Sequence, residues 1–112
     1  MAHAETGTAS WYSKQSCIKE GTWQKYGGKC ADGKYHNLSK ELCVASWFYP
    51  FNTRLVVTCL RTGKKCVVTV TDRGPNRKLV KRGRIIDLSK MAFMSIANLK
   101  EGVIKVSIKK YD

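Results

Sequence analysis

No apolar run in the 112-residue chain approaches the roughly 18 to 20 residues needed to cross a bilayer, which excludes a membrane-spanning helix. The opening Met1–Thr6 stretch lacks the apolar core of a signal peptide, so any export signal is expected to have been removed already. No C-x-x-C pair occurs, and neither His3 nor His36 stands at zinc-finger spacing from a cysteine, so neither a metal site nor a cofactor is expected. Short-period repeats and low-complexity segments are also absent. The scarcest charge is negative: 8 Asp plus Glu against 21 Lys plus Arg leaves +13. A field of that sign concentrates anionic partners, among them nucleic acid, anionic lipid and acidic cell-wall polymers. No recognised nucleic-acid motif accompanies the charge, which makes a nucleic-acid partner a remote alternative.

What the chain does have is cysteine, at 17, 30, 43, 59 and 66. Disulfides in an oxidising compartment are the expectation, with five reduced thiols as the alternative. Cys59 and Cys66 flank LRTGKK, where a two-residue Thr62-Gly63 turn would set them opposite each other on paired strands. Cys17 with Cys30 is the favoured second bridge, because both border the Gly-rich KYGGK stretch, although sequence does not fix connectivity.

Val, Ile and Thr cluster in GTASWY, TRLVVTCL, KCVVTVTD, RIIDLS and VIKVSIKK, which predicts short strands. The last alternates, with Ile104, Val106 and Ile108 on the face to be buried. LSKELCVASW predicts a turn or two of helix capped by Ser39, and SKMAFMSIANL a helix capped by Ser89 and ended by Gly102. Residues Ser16 to Lys34 read as a long polar loop that needs a staple. The whole predicts one mainly β domain over 7–112 behind a 1–6 tail, a small closed barrel or a sandwich with one or two helices at its rim.

Two acids stand out in the basic stretch from Val68 to Phe93. Asp72 ends a Val/Thr strand before Arg73-Gly74-Pro75, and Asp87 precedes the helix expected at Ser89. Each has a plain structural reading: Asp72 as a turn acid paired with Arg73 or Arg84, Asp87 as a helix cap.

In order along the chain, GTASWY, YPFNTRLVVT, VTVTDRGP, RGRIIDLSKMAF and LKEGVIKVSI make the sequence resemble the RlpA-like double-psi β-barrel family of bacterial cell-wall proteins, from about Gly7 to Lys110. It also resembles the first domain of expansins. The resemblance implies a six-stranded double-psi barrel with an open glycan groove. It implies catalytic roles for Asp87, which matches the Asp that MltA lytic transglycosylases use, and for Asp72 in a supporting part. Ser10 falls where expansins place a Thr beside that Asp. The implied activity is a peptidoglycan lytic transglycosylase, a carbon-oxygen lyase; the alternative is an expansin-like module that binds and loosens glycans without cutting them. A monomer is expected, in the cell envelope or secreted.

The chain departs from the family at two positions. Lys34, in CADGK, stands where enzymatic relatives carry Glu, and Ser46 where they carry His; Asp32 is the residue that could substitute for the Glu. Tyr12, Trp23, Tyr26 and Trp47 are candidate sugar-stacking side chains, with Trp23 and Tyr26 foremost, whereas Trp11 and Phe48 are assigned to the core. Arg73, Arg84 and Lys34 complete the expected substrate-binding set. The run NRKLVKRGR reads either as a solvated loop or as a footprint for peptidoglycan stems or teichoic acids.

Overall fold

The computed structural model describes residues 5–112; positions 1–4, most of the expected tail, lie outside the described residues. Six strands, β1 (Glu5–Tyr12), β2 (Cys43–Ala45), β3 (Arg54–Cys59), β4 (Lys65–Asp72), β5 (Arg84–Ser89) and β6 (Ile104–Lys110), close into a barrel in the order β1-β5-β2-β4-β3-β6. Two pairings, β1 with β5 and β2 with β4, are parallel and the others antiparallel. All five predicted strand segments are present, and the short β2 is an addition. In β6 the alternation holds as read: Ile104, Val106 and Ile108 are buried. Gly7 permits the close approach of β1 to β5, since a Cβ there would lie 2.9 Å from the Gly83 carbonyl oxygen.

The helices are α1 (Lys14–Glu20), α2 (Thr22–Lys25), α3 (Arg77–Lys81) and α4 (Lys90–Ile96), with a 3-10 turn at Leu99–Glu101. Helix α4 packs against β1, β4 and β5, burying Ala92, Phe93 and Ile96 in the core. Ser89 caps it by accepting from the Ala92 amide, as the sequence predicts, but the helix stops at Ala97 rather than running to Gly102.

Three expectations about local structure are corrected. The stretch read as a polar loop begins with α1 and α2, because a Ser13/Ser16 capping box starts the first and Gly21 in the left-handed region separates them. LSKELCVASW is a single turn on Asn37, whose side chain accepts from the Ser39 amide, and then becomes β2, since Cys43, Val44 and Ala45 are all buried between two strands. Phe48 is exposed, and Tyr49 and Phe51 pack against the core in its place.

The expected disulfides are not present: all five cysteines are free. The β3–β4 connection runs from Leu60 to Lys64 instead of turning on two residues, and the ladder pairs Val57 with Cys66. Cys59 is therefore a diagonal neighbour of Cys66, roughly 7 to 8 Å away, beyond the Cα separation that a disulfide spans. Cys17 lies on α1, whereas Cys30 sits in the loop that follows α2, where its amide donates to the Lys34 carbonyl.

Candidate functional site

Strand register brings the acids together. Ala45 of β2 is the partner of Asp87 on β5 and also of Asp72 on β4, and Ser10 of β1 is the partner of Asp87. Ser10, Asp87, Ala45 and Asp72 thus form one row across four adjacent strands. With neighbouring strands about 4.8 Å apart, the two acid backbones are separated by roughly 9 to 10 Å.

Asp87 is half-buried, and its Oδ1 accepts a 2.5 Å hydrogen bond from the Ser10 hydroxyl. Its Oδ2 faces Gly74 of the DRGP turn, where a Cβ would come within 3.6 Å of that oxygen. It caps nothing, because Ser89 performs that task. Burial raises its pKa above the ordinary 3.8, and the charges of Glu20 and Asp72 add to the effect; the Ser10 bond and Arg84 oppose it. Asp72 is held differently. Its Oδ1 accepts from the backbone amides of Ala31, at 3.0 Å, and Arg73, at 2.9 Å. Burial raises its pKa as well, against those two amides.

The other candidates divide. Ser10 and Arg84 act on Asp87 as described. Trp47 borders the DRGP turn: its indole donates to the Pro75 carbonyl at 2.6 Å, and Arg77 lies 4.4 Å over its ring. Trp23 is committed to packing, with Lys14 on its ring and Gly28 so close that a Cβ there would be 2.9 Å from it. Tyr26 is exposed on the surface beside Lys25. The Tyr12 hydroxyl points inward, buried without a hydrogen-bond partner, and burial followed by the Asp72 charge pushes its pKa well up.

Arg73 was expected to meet substrate, yet its guanidinium donates to the Ser46 and Tyr49 carbonyls and stacks 3.9 Å from the Phe51 ring. Lys34 lies on the wall of a cavity of about 410 Å³ that Asp32 and Thr71 also line. Asp32 is engaged by the Lys34 amide and the His36 ring, so the residue nearest the missing Glu is already paired. Ser46 is fully buried, and its hydroxyl accepts from the Phe48 amide. Sequence reasoning missed the Ala31 amide on Asp72, a contact made by backbone that no side-chain pattern announces. It also missed His36 and Glu41, which share that cavity wall.

A family model described as "Lytic transglycolase" matches residues 4–108. A "Probable endolytic peptidoglycan transglycosylase RlpA" of Aquifex aeolicus is 36% identical over 103 residues, which cover 92% of this chain and 39% of that protein. The chain thus spans well under half of that relative. Among solved structures, a Streptomyces papain inhibitor superposes with TM-score 0.71 at 24% identity, covering 98% of this chain and 96% of the other. A Clavibacter michiganensis expansin mutant in complex with cellohexaose gives TM-score 0.61 at 20% identity, over 98% of this chain and 51% of the other. These two similarities concern the fold.

Proposed function

The chain belongs to the lytic transglycolase family, and from that premise we propose that the Ser10–Asp87–Ala45–Asp72 row floors a glycan groove in which Asp87 carries out lytic transglycosylation of peptidoglycan. The observation that carries this reading is Asp87 itself. It is a half-buried carboxyl relieved of any capping duty, its pKa is raised by burial, and a hydroxyl and a second acid stand in its row. Those are the conditions under which a carboxyl can hold a proton and give it up.

In the reaction, Asp87 donates its proton to the bridging oxygen as the bond from that oxygen to C1 of the muramic acid breaks. The resulting carboxylate then takes the proton from the C6 hydroxyl of the same sugar as its oxygen bonds to C1, closing a 1,6-anhydro ring. The proton count is restored and no water is consumed. Asp72, anchored by two amides, supplies negative charge near the oxocarbenium-like transition state. Trp47, on the rim, offers a partly exposed ring face to a sugar. Cell-wall substrate places this activity in the envelope or outside the cell.

One observation favours a second reading, binding and loosening without cleavage: Lys34 replaces the family Glu and Asp32 is paired with His36. Digestion of purified peptidoglycan followed by mass spectrometry separates the two. Muropeptides one water lighter than hydrolysis products, released by the native protein and not by Asp87→Asn, support transglycosylation. Sedimentation with the insoluble wall and no soluble product would support loosening instead.

A further inference from the structure

Beyond α2 the chain runs without regular secondary structure to the start of β2 at Cys43, and on the way it gathers Asp32, His36 and Glu41. The donor atoms of His36, Glu41 and Cys43 all lie within 4.8 Å of one another. We infer that these three side chains bind a thiophilic divalent cation, Zn²⁺ being the best match to one imidazole, one carboxylate and one thiolate. The inference stands whether or not the groove cleaves glycan.

The orientation of the histidine supports it. Nδ1 faces Glu41 Oε1 at 3.0 Å, whereas Nε2 lies 2.8 Å from Asp32 Oδ2, and the Asp32 side chain is only 6% exposed. A metal-bound histidine commonly donates its other ring N–H to a carboxylate, which fixes the tautomer and the ring plane. Here that arrangement puts the proton on Nε2 and turns the Nδ1 lone pair toward Glu41. The second oxygen of Glu41 accepts from the Asn37 amide, so the carboxylate is held as well.

The surroundings leave space for a fourth ligand. The three side chains line the cavity of about 410 Å³, and Thr71 lies on the same wall with its hydroxyl buried and unpartnered. Burial pushes the Cys43 thiol up to about 11, so the cation-free thiol keeps its proton. Binding releases that proton and any proton on His36 Nδ1. Thiolate and carboxylate then neutralise the dication, so Lys34 and Arg54 on the cavity wall face a neutral centre. Such a site would tie the irregular segment to the barrel in a chain whose cysteines are free. It would also steady Ala31, whose amide bonds to Asp72.

The test is a Co²⁺ titration of the reduced, metal-free chain, followed by absorbance. A thiolate-to-cobalt charge-transfer band with tetrahedral visible bands, saturating at one cobalt per chain and displaced by Zn²⁺, is expected. Cys43→Ser should abolish the charge-transfer band, and a Cys17→Ser/Cys30→Ser double variant should retain it. Asp32→Asn, outside the coordination shell, should weaken binding about 10- to 100-fold while leaving the spectrum in place. The absence of a charge-transfer band in the native chain would overturn the inference, as would a band that survives Cys43→Ser but disappears in the double variant. If circular dichroism shows Cys43→Ser to be unfolded, Glu41→Gln decides, because that side chain is 47% exposed and tolerates replacement. Unchanged cobalt affinity in Glu41→Gln would overturn the site, and a loss of at least about 10-fold would support it.

Discussion

Asp87 and Asp72 share a row but not a neighbourhood. Asp87 lies within β5, flanked by β1 and β2, and among the described residues the one donor to its carboxylate is a side chain brought there by strand register. Asp72 ends β4, and its donors are backbone amides, one from its own turn and one from the irregular segment before β2. Two amides are fixed dipoles that favour an anion, whereas a single hydroxyl beside a buried carboxyl leaves the proton easier to keep. Burial raises both carboxyls, and under the proposed mechanism the difference in donors gives Asp87 the proton transfer and Asp72 the supporting charge.

The sharpest way to break this comparison is to neutralise each acid in turn. Asp87→Asn should lower transglycosylase turnover by about 10²- to 10⁴-fold, the usual reach of general acid–base catalysis. Because the Asp87 pKa is raised on folding, the native state holds its proton more tightly, and the buried charge costs stability once pH rises through the folded value. The asparagine variant should therefore melt at the same temperature as the native chain, or higher, at neutral pH, and the gain should vanish in acid. Asp72→Asn keeps an oxygen for both amides and should cost less, on the order of 10-fold, or about 1.4 kcal/mol of barrier.

Next in size is Arg73. Since its guanidinium spans two carbonyls and an aromatic face, Arg73→Lys should lower stability by about 1.5 to 3 kcal/mol in chemical denaturation. An unchanged midpoint with weakened glycan binding would return Arg73 to the substrate. Ser89→Ala should cost more than the ~1 kcal/mol of a lost cap, since its buried hydroxyl also accepts from the Cys43 amide and donates to the Glu41 carbonyl, with no comparable cap penalty from Asp87→Ala. The smallest effect is expected from reductant: thiol reagents should leave the melting temperature unchanged, because no bridge joins Cys59 to Cys66.

The barrel was legible because alternation is a strong signal. Ile104, Val106 and Ile108 announce a buried face, and the DRGP and RIIDLS segments place both acids at the right strands. Whether Asp87 caps the helix was not decidable from spacing, since Ser89, two residues later, offers the same chemistry; the fold gives the cap to Ser89 and the Ser10 hydroxyl to Asp87. Cys59 and Cys66 are not set opposite each other as the sequence suggests, because the β3–β4 connection is longer than two residues and the register shifts with it. The structural contacts of Arg73 were not legible, because a basic residue in a groove motif looks free until the Ser46 and Tyr49 carbonyls are seen beside it. The His36–Glu41–Cys43 cluster went unread because its ligands are brought together by an irregular segment, without a repeated spacing.

The claim on which the rest depends is that Asp87 is a desolvated acid able to hold a proton in the groove. Titration of its carboxyl carbon by NMR, in the full chain with and without Ser10→Ala, tests that directly. A midpoint above the ordinary 3.8, moving higher when the Ser10 hydroxyl is removed, is the expected result. A midpoint at or below 3.8, indifferent to Ser10, would mark a solvated carboxylate held by Arg84 and would contradict the acid role.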